Sequence, residues 1–518
     1  MMQTLRARLV LSGFALIAPT SAMSAITADD VCAPTANPCI VDGRVGVEAG
    51  AILDFGLRTL QIVRGGMLAA AASDVTVACG GLIVDPGGAI DFSGRGVIGS
   101  IELNASGRCQ DSPTQPCMAA SDCTTGTCTG GDVVLGGRLF GGGPIADPNL
   151  RIRAAGDIEV GGLVRMTSRS GPYPSPGSAV FEAGGHIWLD AIVRGRGKSG
   201  GDGADLILTA GGDVIVTGSR IDLRGGEYGG GYLQIESGND VMLSGKFFMS
   251  AFSGPASGGG IAATAARDIV LHGQADGATT VFSRGNEGED FPGDGGVIFF
   301  AAGRDVRVEN QVLVDLSGPP SGLGGSITLR GRENVLFDAR ARLVANDYDG
   351  GGGRMQVEAI DGDITIGAGA DVDLQGGSYG GHASFVAGGN ASIAGVVTTH
   401  GKISTGSIWL FSQGTTSITG AMSCGANDLG FASHRITIGG CDVSIESGGS
   451  VSMSSDADGI SVVARRSLSV DTLSSLVAEG EGTFIDLFTR SDTQPPSLPG
   501  TISPAPATTI DDSLEPCP

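Results

Sequence analysis

The groups able to do chemistry in this chain are scattered acids, a few bases, two tryptophans and ten cysteines. The densest mixed cluster is Arg194, Arg196, Lys198, Asp202 and Asp205. Paired carboxylates beside a cation could supply the general acid and base that polysaccharide lyases and hydrolases need. The competing reading is a solvated turn, and it fits a chain whose only lysines are 198, 246 and 402. The five histidines, 186, 272, 382, 400 and 434, form neither HExxH nor a close pair, so they read as turn and surface residues. Gly197-Lys198-Ser199 lacks the earlier glycine that a phosphate loop requires. No catalytic residue and no enzymatic activity are expected.

Gly200–Leu208, GGDGADLIL, fits the calcium-binding nonapeptide G-G-x-G-x-D-x-U-x. That motif builds its sites from adjacent turns, so one copy is incomplete. Asp202 and Asp205 are the calcium candidates, and no other cofactor is expected. Asp347 with Asp349, and Asp456 with Asp458, are further acidic turns offering hard oxygen ligands. Trp188 in HIWLD and Trp409 in SIWLF sit in equivalent local contexts. If their aliphatic neighbours face inward, both rings face outward, where they could stack on sugars or cover a neighbouring coil.

An even cysteine count suits disulfides in an oxidising compartment. Cys32 and Cys39 bracket a short loop and are expected to pair. Cys109, Cys117, Cys123 and Cys128 lie in a polar insertion without a core of its own, where bridges would replace packing. Their spacing approaches a zinc knuckle only at Cys123 and Cys128. Cys424 and Cys441 form a third pairing region.

Positioning these groups falls to a repeat. A glycine turn, then Asp or Asn, then alternating apolar residues recurs at Asp132, Asp157, Asp213, Asp240, Asp268, Asp305, Asn334, Asp363 and Asp442. Weaker copies start at His186, Asn390, Thr416 and Ser467. The steps cluster near 27 residues, with one of 37. Within a repeat, apolar residues alternate with period two, as at Val214/Val216, Ile221/Leu223 and Leu233/Ile235, and read as short strands. IDLRGGEYGGG at 221–231 and VDLQGGSYGGH at 372–382 are copies of one element. A single repeat cannot bury its apolar face, whereas stacked repeats can. The expected fold is therefore all-β: one elongated parallel β-helix, or β-solenoid, with a Cys-rich insertion. Propeller blades need a longer period. About twelve coils at roughly 4.8 Å each would give a rod of roughly 60 Å.

The expected organisation is a signal peptide at 1–25, a Cys-stapled segment at 26–42, first rungs at 43–107, the Cys-rich insertion at 108–130, the main β-helix at 131–490 and a Pro-rich tail at 491–518. Arg6 and Arg8 precede a short apolar run, Leu9 to Ala18, and small residues follow at 21–25, the pattern of a Sec signal. The run is too short to span a bilayer, so no membrane span is expected after cleavage. Glycine contributes 90 of 518 residues, against an average of about 7%. The hydrophobic fraction, 41%, argues against full disorder. A net charge of -23 argues against nucleic acid as a partner, because phosphates need a basic face.

GGDVIVTG, GRDVRVEN, GGSITLRG and DGDITIGAG resemble the repeats of filamentous-haemagglutinin-like adhesins of Gram-negative bacteria, over roughly residues 131–480. The resemblance implies a right-handed parallel β-helix exported to the cell surface or medium. The expected function is an adhesive or structural role, with loops presented from a rigid rod. Partners would be surface glycans or the surfaces of host or neighbouring cells, and self-association is a further expectation. The alternatives are a carbohydrate-active β-helix enzyme and an extracellular matrix or envelope scaffold.

Overall fold

A computed structural model describes residues 26–70, 74–92, 100–124, 127–141, 150–167, 176–197, 200–252, 256–273, 278–286, 293–338, 340–347, 349–426, 435–454, 459–492 and 494–517. The expected signal peptide, Lys198, His434, Asp456 and Asp458 lie outside the described residues. Short strands wind into a β-solenoid of about 15 turns with almost no helix. At roughly 4.8 Å per layer the rod is about 70 Å long. It exceeds the twelve coils expected because tight turns before the Cys insertion, and the segment after 490, also join the stack.

Each coil contributes a strand to three faces. One coil runs Val214–Asp222, which covers the first and second faces with a bend between, then Tyr232–Ser237 on the third. Every face is a parallel ladder: Val214 pairs with Val241, Ile221 with Phe247 and Leu233 with Ile261. Side chains alternate in and out along each strand. The inward set forms one continuous core from Cys39 to Leu487, in which Phe181, Phe300, Phe337 and Phe385 are fully buried. Parallel in-register pairing brings equivalent residues of successive coils together, so the repeat in sequence becomes columns in space.

The column at the corner before the first face explains the repeated Asp. Each side chain accepts the backbone N–H of its equivalent in the next coil. Asp132 Oδ1 accepts from Asp157 at 3.0 Å, Asp157 from His186 at 2.7 Å, and His186 Nδ1 from Asp213 at 2.9 Å. The chain continues through Asp240, Asp268, Asp305, Asn334, Asp363 and Asn390 to the Thr415 N–H, with contacts of 2.6–3.3 Å. Backbone donors at a crowded corner are thereby satisfied without water. Stacked carboxylates repel, and arginines answer this: Arg267 pairs with Asp240, Arg304 with Asp268, Arg307 with Asp305, and Arg466 with Asp442. The weak repeat expected to start at Thr416 starts one residue earlier, since Ala391 pairs with Thr416 and Thr415 with Asp442.

Both described ends pack onto the solenoid. At the start, Ala28–Val31 forms one helical turn whose Ala28 is buried against the first coil. Arg58 ties this segment down through Ala33 O at 3.0 Å and Asp29 at 3.2 Å. Beyond 490, Thr501–Ser503 and Ala507–Ile510 pair in parallel with Ser475–Val477 and Asp486–Thr489, so the Pro-containing segment extends the coil. No described helix is long and apolar enough to cross a membrane.

Cys32–Cys39, Cys109–Cys123 and Cys117–Cys128 are disulfides. The insertion is a three-stranded antiparallel patch, built on Gly107–Cys109 and separate from the main sheet, with the two bridges as its core. Cys441 bonds Cys517, not Cys424. Cys424 points inward in the column that holds Leu374 and Thr399, and contacts Thr399 Oγ1 at 2.9 Å. Cys441 sits at a later corner, within reach of the C-terminal segment. Cys79 is also a buried thiol, its pKa pushed up to about 12 by burial.

Candidate functional site

The corner between the second and third faces carries the longest turns, and grooves form there. Glycine lines the turns because neighbouring backbones touch: a Cβ at Gly230 would fall 1.5 Å from Met249 O, and one at Gly352 would fall 2.1 Å from Leu374 O. Polar side chains immediately after the second-face strand therefore stand at the groove edge in register.

The larger groove, about 610 Å³, is lined by Arg284, Ser317, Asn346, Gln375 and His400, with Asp347 and Lys402 beside them. The first five occupy one position in five successive coils: Phe282 pairs with Asp315, Asp315 with Val344, Val344 with Asp373 and Asp373 with Thr398, each two residues earlier. They form a network. Arg284 pairs with Asp315, whose Oδ1 accepts from Ser317 Oγ at 2.8 Å. Ser317 Oγ also lies 3.1 Å from Asn346 Oδ1, and Asn346 Nδ2 donates to Asp373 Oδ2 at 3.2 Å. Burial pushes the Asp315 carboxyl up, but hydrogen bonds from Arg284 and Ser317 outweigh it and leave it below the ordinary value. The Asp373 carboxyl, without a guanidinium bond, is raised by burial. Burial lowers the His400 pKa, which favours the neutral imidazole.

Two polar atoms of the lining stand out. Asp347 is 6% exposed, and its Oδ1 accepts the N–H groups of Asp349 at 2.9 Å and Gly350 at 3.0 Å. Its Oδ2 is buried with no hydrogen-bond partner among the described residues, and the same holds for His400 Nε2.

A second groove, about 480 Å³, lies earlier on the same corner and holds Asp202, Asp205, Tyr228 and Tyr232. The structure thus brings the two calcium candidates together, but Asp205 Oδ1 already accepts the Tyr232 N–H at 3.0 Å. Arg196, expected beside them, turns to the fully buried Asp222, which Arg224 also holds at 2.9 Å. Arg194 lies exposed on the second-face strand. Among the described residues, the only group of three or more metal-ligating side chains in mutual reach is Cys109, Cys117 and Cys123, all in disulfides.

Both tryptophans face outward, 37% exposed for Trp188 and 48% for Trp409. They are not equivalent: Trp188 belongs to the first face, paired with Ile215, and Trp409 to the third, paired with Ser384. Each contacts a histidine ring, His186 at 5.3 Å and His382 at 5.9 Å. They cannot form one platform.

Of the groove residues, Asp347, His400 and Lys402 are visible in the sequence as an acidic turn and scattered bases, but nothing in their spacing joins them to Arg284, Ser317, Asn346 and Gln375. Aligning IDLRGG with VDLQGG puts Arg224 and Gln375 in one column, and the pattern was therefore available. No family model matches this chain, and no curated protein or solved structure resembles it significantly. The likeness to haemagglutinin-like repeats rests on the repeat pattern.

Proposed function

We propose that the protein is an exported rod with an adhesive or structural role, akin to filamentous-haemagglutinin-like repeat proteins. The observation that carries this reading is the side-chain column from Asp132 to Thr415. It commits most repeat carboxylates to coil-to-coil hydrogen bonds, which stiffens the rod and leaves the corner loops as the variable surface. A stiff rod presenting many loops binds by summing weak contacts. Disulfides in the described chain fit an oxidising compartment. The test is to couple purified protein to beads and present them to intact cells and to immobilised cell-surface glycans, alongside immunolabelling of unbroken producing cells. Surface labelling with bead adhesion is expected; confinement inside the envelope with no adhesion overturns the reading.

A second reading, a carbohydrate-active enzyme, draws on the raised Asp373 carboxyl next to the larger groove. New reducing ends from a polysaccharide, abolished by Asp373→Asn, would favour it.

A further inference from the structure

We infer that the groove along Arg284, Ser317, Asn346, Gln375 and His400 binds a neutral, extended oligosaccharide whose hydroxyls complete the hydrogen bonding of Asp347 Oδ2 and His400 Nε2. The biological use of such a site rests on the adhesive reading; its existence does not.

Asp347 Oδ2 and His400 Nε2 are buried without a hydrogen-bond partner among the described residues. A buried carboxylate oxygen without a donor costs on the order of a kilocalorie per mole or more, so a native structure keeps one where a ligand or solvent group supplies the donor. Asp347 cannot turn away, because its Oδ1 holds the Asp349 and Gly350 N–H groups. Its Oδ2 is buried at the groove floor against Gly318 and Gly350, where added Cβ atoms would fall 3.2 and 2.6 Å from it. His400 Nε2 donates or accepts according to tautomer. A hydroxyl group answers both needs, since it donates to the carboxylate and adapts to the imidazole. A bare anion could not donate to Asp347, and a primary ammonium would serve His400 only in the tautomer whose Nε2 accepts, whereas a hydroxyl serves either.

The rest of the lining fits the same ligand. Ser317 and Asn346 keep lone pairs and an N–H beyond the bonds they make to Asp315 and Asp373, and Gln375 adds an amide at the groove edge. Arg284 and Asp315 neutralise each other. The five rungs span about 19 Å at roughly 4.8 Å per layer, a length that suits a chain of sugar rings better than a single one. The loops forming the rim also carry exposed apolar groups, Leu323, Tyr379 and Ile403, able to cover the C–H faces of sugars. Leu323 and Tyr379 each bridge to Gly351, which places them on one ridge.

The test uses the full purified protein and calorimetric titration with neutral mono- and tetrasaccharides of glucose, galactose and N-acetylglucosamine. At least one tetrasaccharide is expected to bind saturably and more tightly than its monosaccharide. Gln375→Ala removes an exposed side chain and should leave melting unchanged while weakening binding about tenfold. Asp347→Asn keeps the shape and an oxygen for the turn, and should weaken binding by a similar factor or more. Absence of saturable binding across the panel overturns the inference, as does binding that both variants leave unchanged. Stabilisation by calcium chloride alone, with no sugar bound, also overturns it. Bead adhesion is read separately. Adhesion that persists in a chain with no groove binding condemns the groove alone. Groove binding without adhesion condemns the adhesive role alone.

Discussion

The coils before the Cys insertion and the coils after it share one core but not one corner. Before it, Cys39 pairs with Leu60 and Leu60 with Leu82, steps of 21 and 22 residues. After it, Val214 pairs with Val241, a step of 27. The inward residues are alike, for Leu60 and Leu82 continue the column of Val133 and Ile158. The additional residues enter the turn between the second and third faces: four residues separate Ala70 from Val75, eight separate Phe92 from Ile101 in the last coil before the insertion, and nine separate Asp222 from Tyr232. The Asp column also begins only at Asp132, because Thr59 and Gly81 hold its position in the earlier coils. In the tight coils a side chain braces this corner once, where Asn37 Oδ1 accepts the Thr59 N–H at 3.0 Å, while the wide coils carry the brace from coil to coil and gain grooves. Rigidity and display therefore arise together in the same region.

The largest expected effect tests the shared core. Phe385→Ala after the insertion and Phe55→Ala before it should each cost about 3–5 kcal/mol, since both rings are fully buried. A much smaller cost for one would show that the two cores are packed differently. Next is the ion pair peculiar to the wide coils. Asp222→Ala leaves Arg196 and Arg224 without their buried partner and should cost about 2 kcal/mol, reduced from a fully buried pair because both arginines reach solvent. Denaturant melts of the three variants check these values.

A smaller contrast concerns the brace. Asp305→Ala removes the acceptor for the Asn334 N–H and the partner of Arg307, at a cost of about 1–2 kcal/mol. Thr59→Ala, at the matching position of a tight coil, should stay within about 0.5 kcal/mol.

Acid sharpens the same difference. The Asp268 carboxyl lies below its ordinary value through its Arg304 hydrogen bond. Burial would raise Asp222, but Arg196 and Arg224 outweigh it and hold it low as well. A carboxyl with a lowered folded pKa contributes stability above its unfolded value and loses it as pH falls through the folded one. Melting temperature should slip slightly as pH falls below about 6.5, where unfolding lets His400 take up a proton that burial disfavours, and fall steeply below about pH 4, where the carboxylates protonate. Loss of structure should begin after the insertion, read by proteolysis.

The smallest effect on the rod is expected from reducing the insertion. Its two bridges close a patch separate from the main sheet. Mild reduction should expose 107–129 to protease while the β signal in circular dichroism persists.

Much of this was legible in the sequence, for a stated reason. Parallel in-register stacking turns a 27-residue period directly into columns, and Asp at the corner has a local role that its glycine neighbours betray. Thr415 was missed by one residue because Thr416 is equally able to start the alternation. Trp188 and Trp409 looked equivalent because Ile-Trp-Leu alternates identically on any face, and only strand register separates the faces. Cys517 lies 76 residues from Cys441, beyond any spacing rule. The groove column mixes Arg, Ser, Asn, Gln and His, so no single residue type marked it. Its common feature is a place in the coil.

The central claim is that the corner side chains, rather than strand pairing alone, brace the wide coils. Amide hydrogen exchange on Asp305→Ala against the parent chain tests it directly. The account predicts faster exchange at Asn334, by about tenfold for each 1.4 kcal/mol lost, with Thr59 and Leu82 unchanged. Equal protection of Asn334 in both proteins would contradict it.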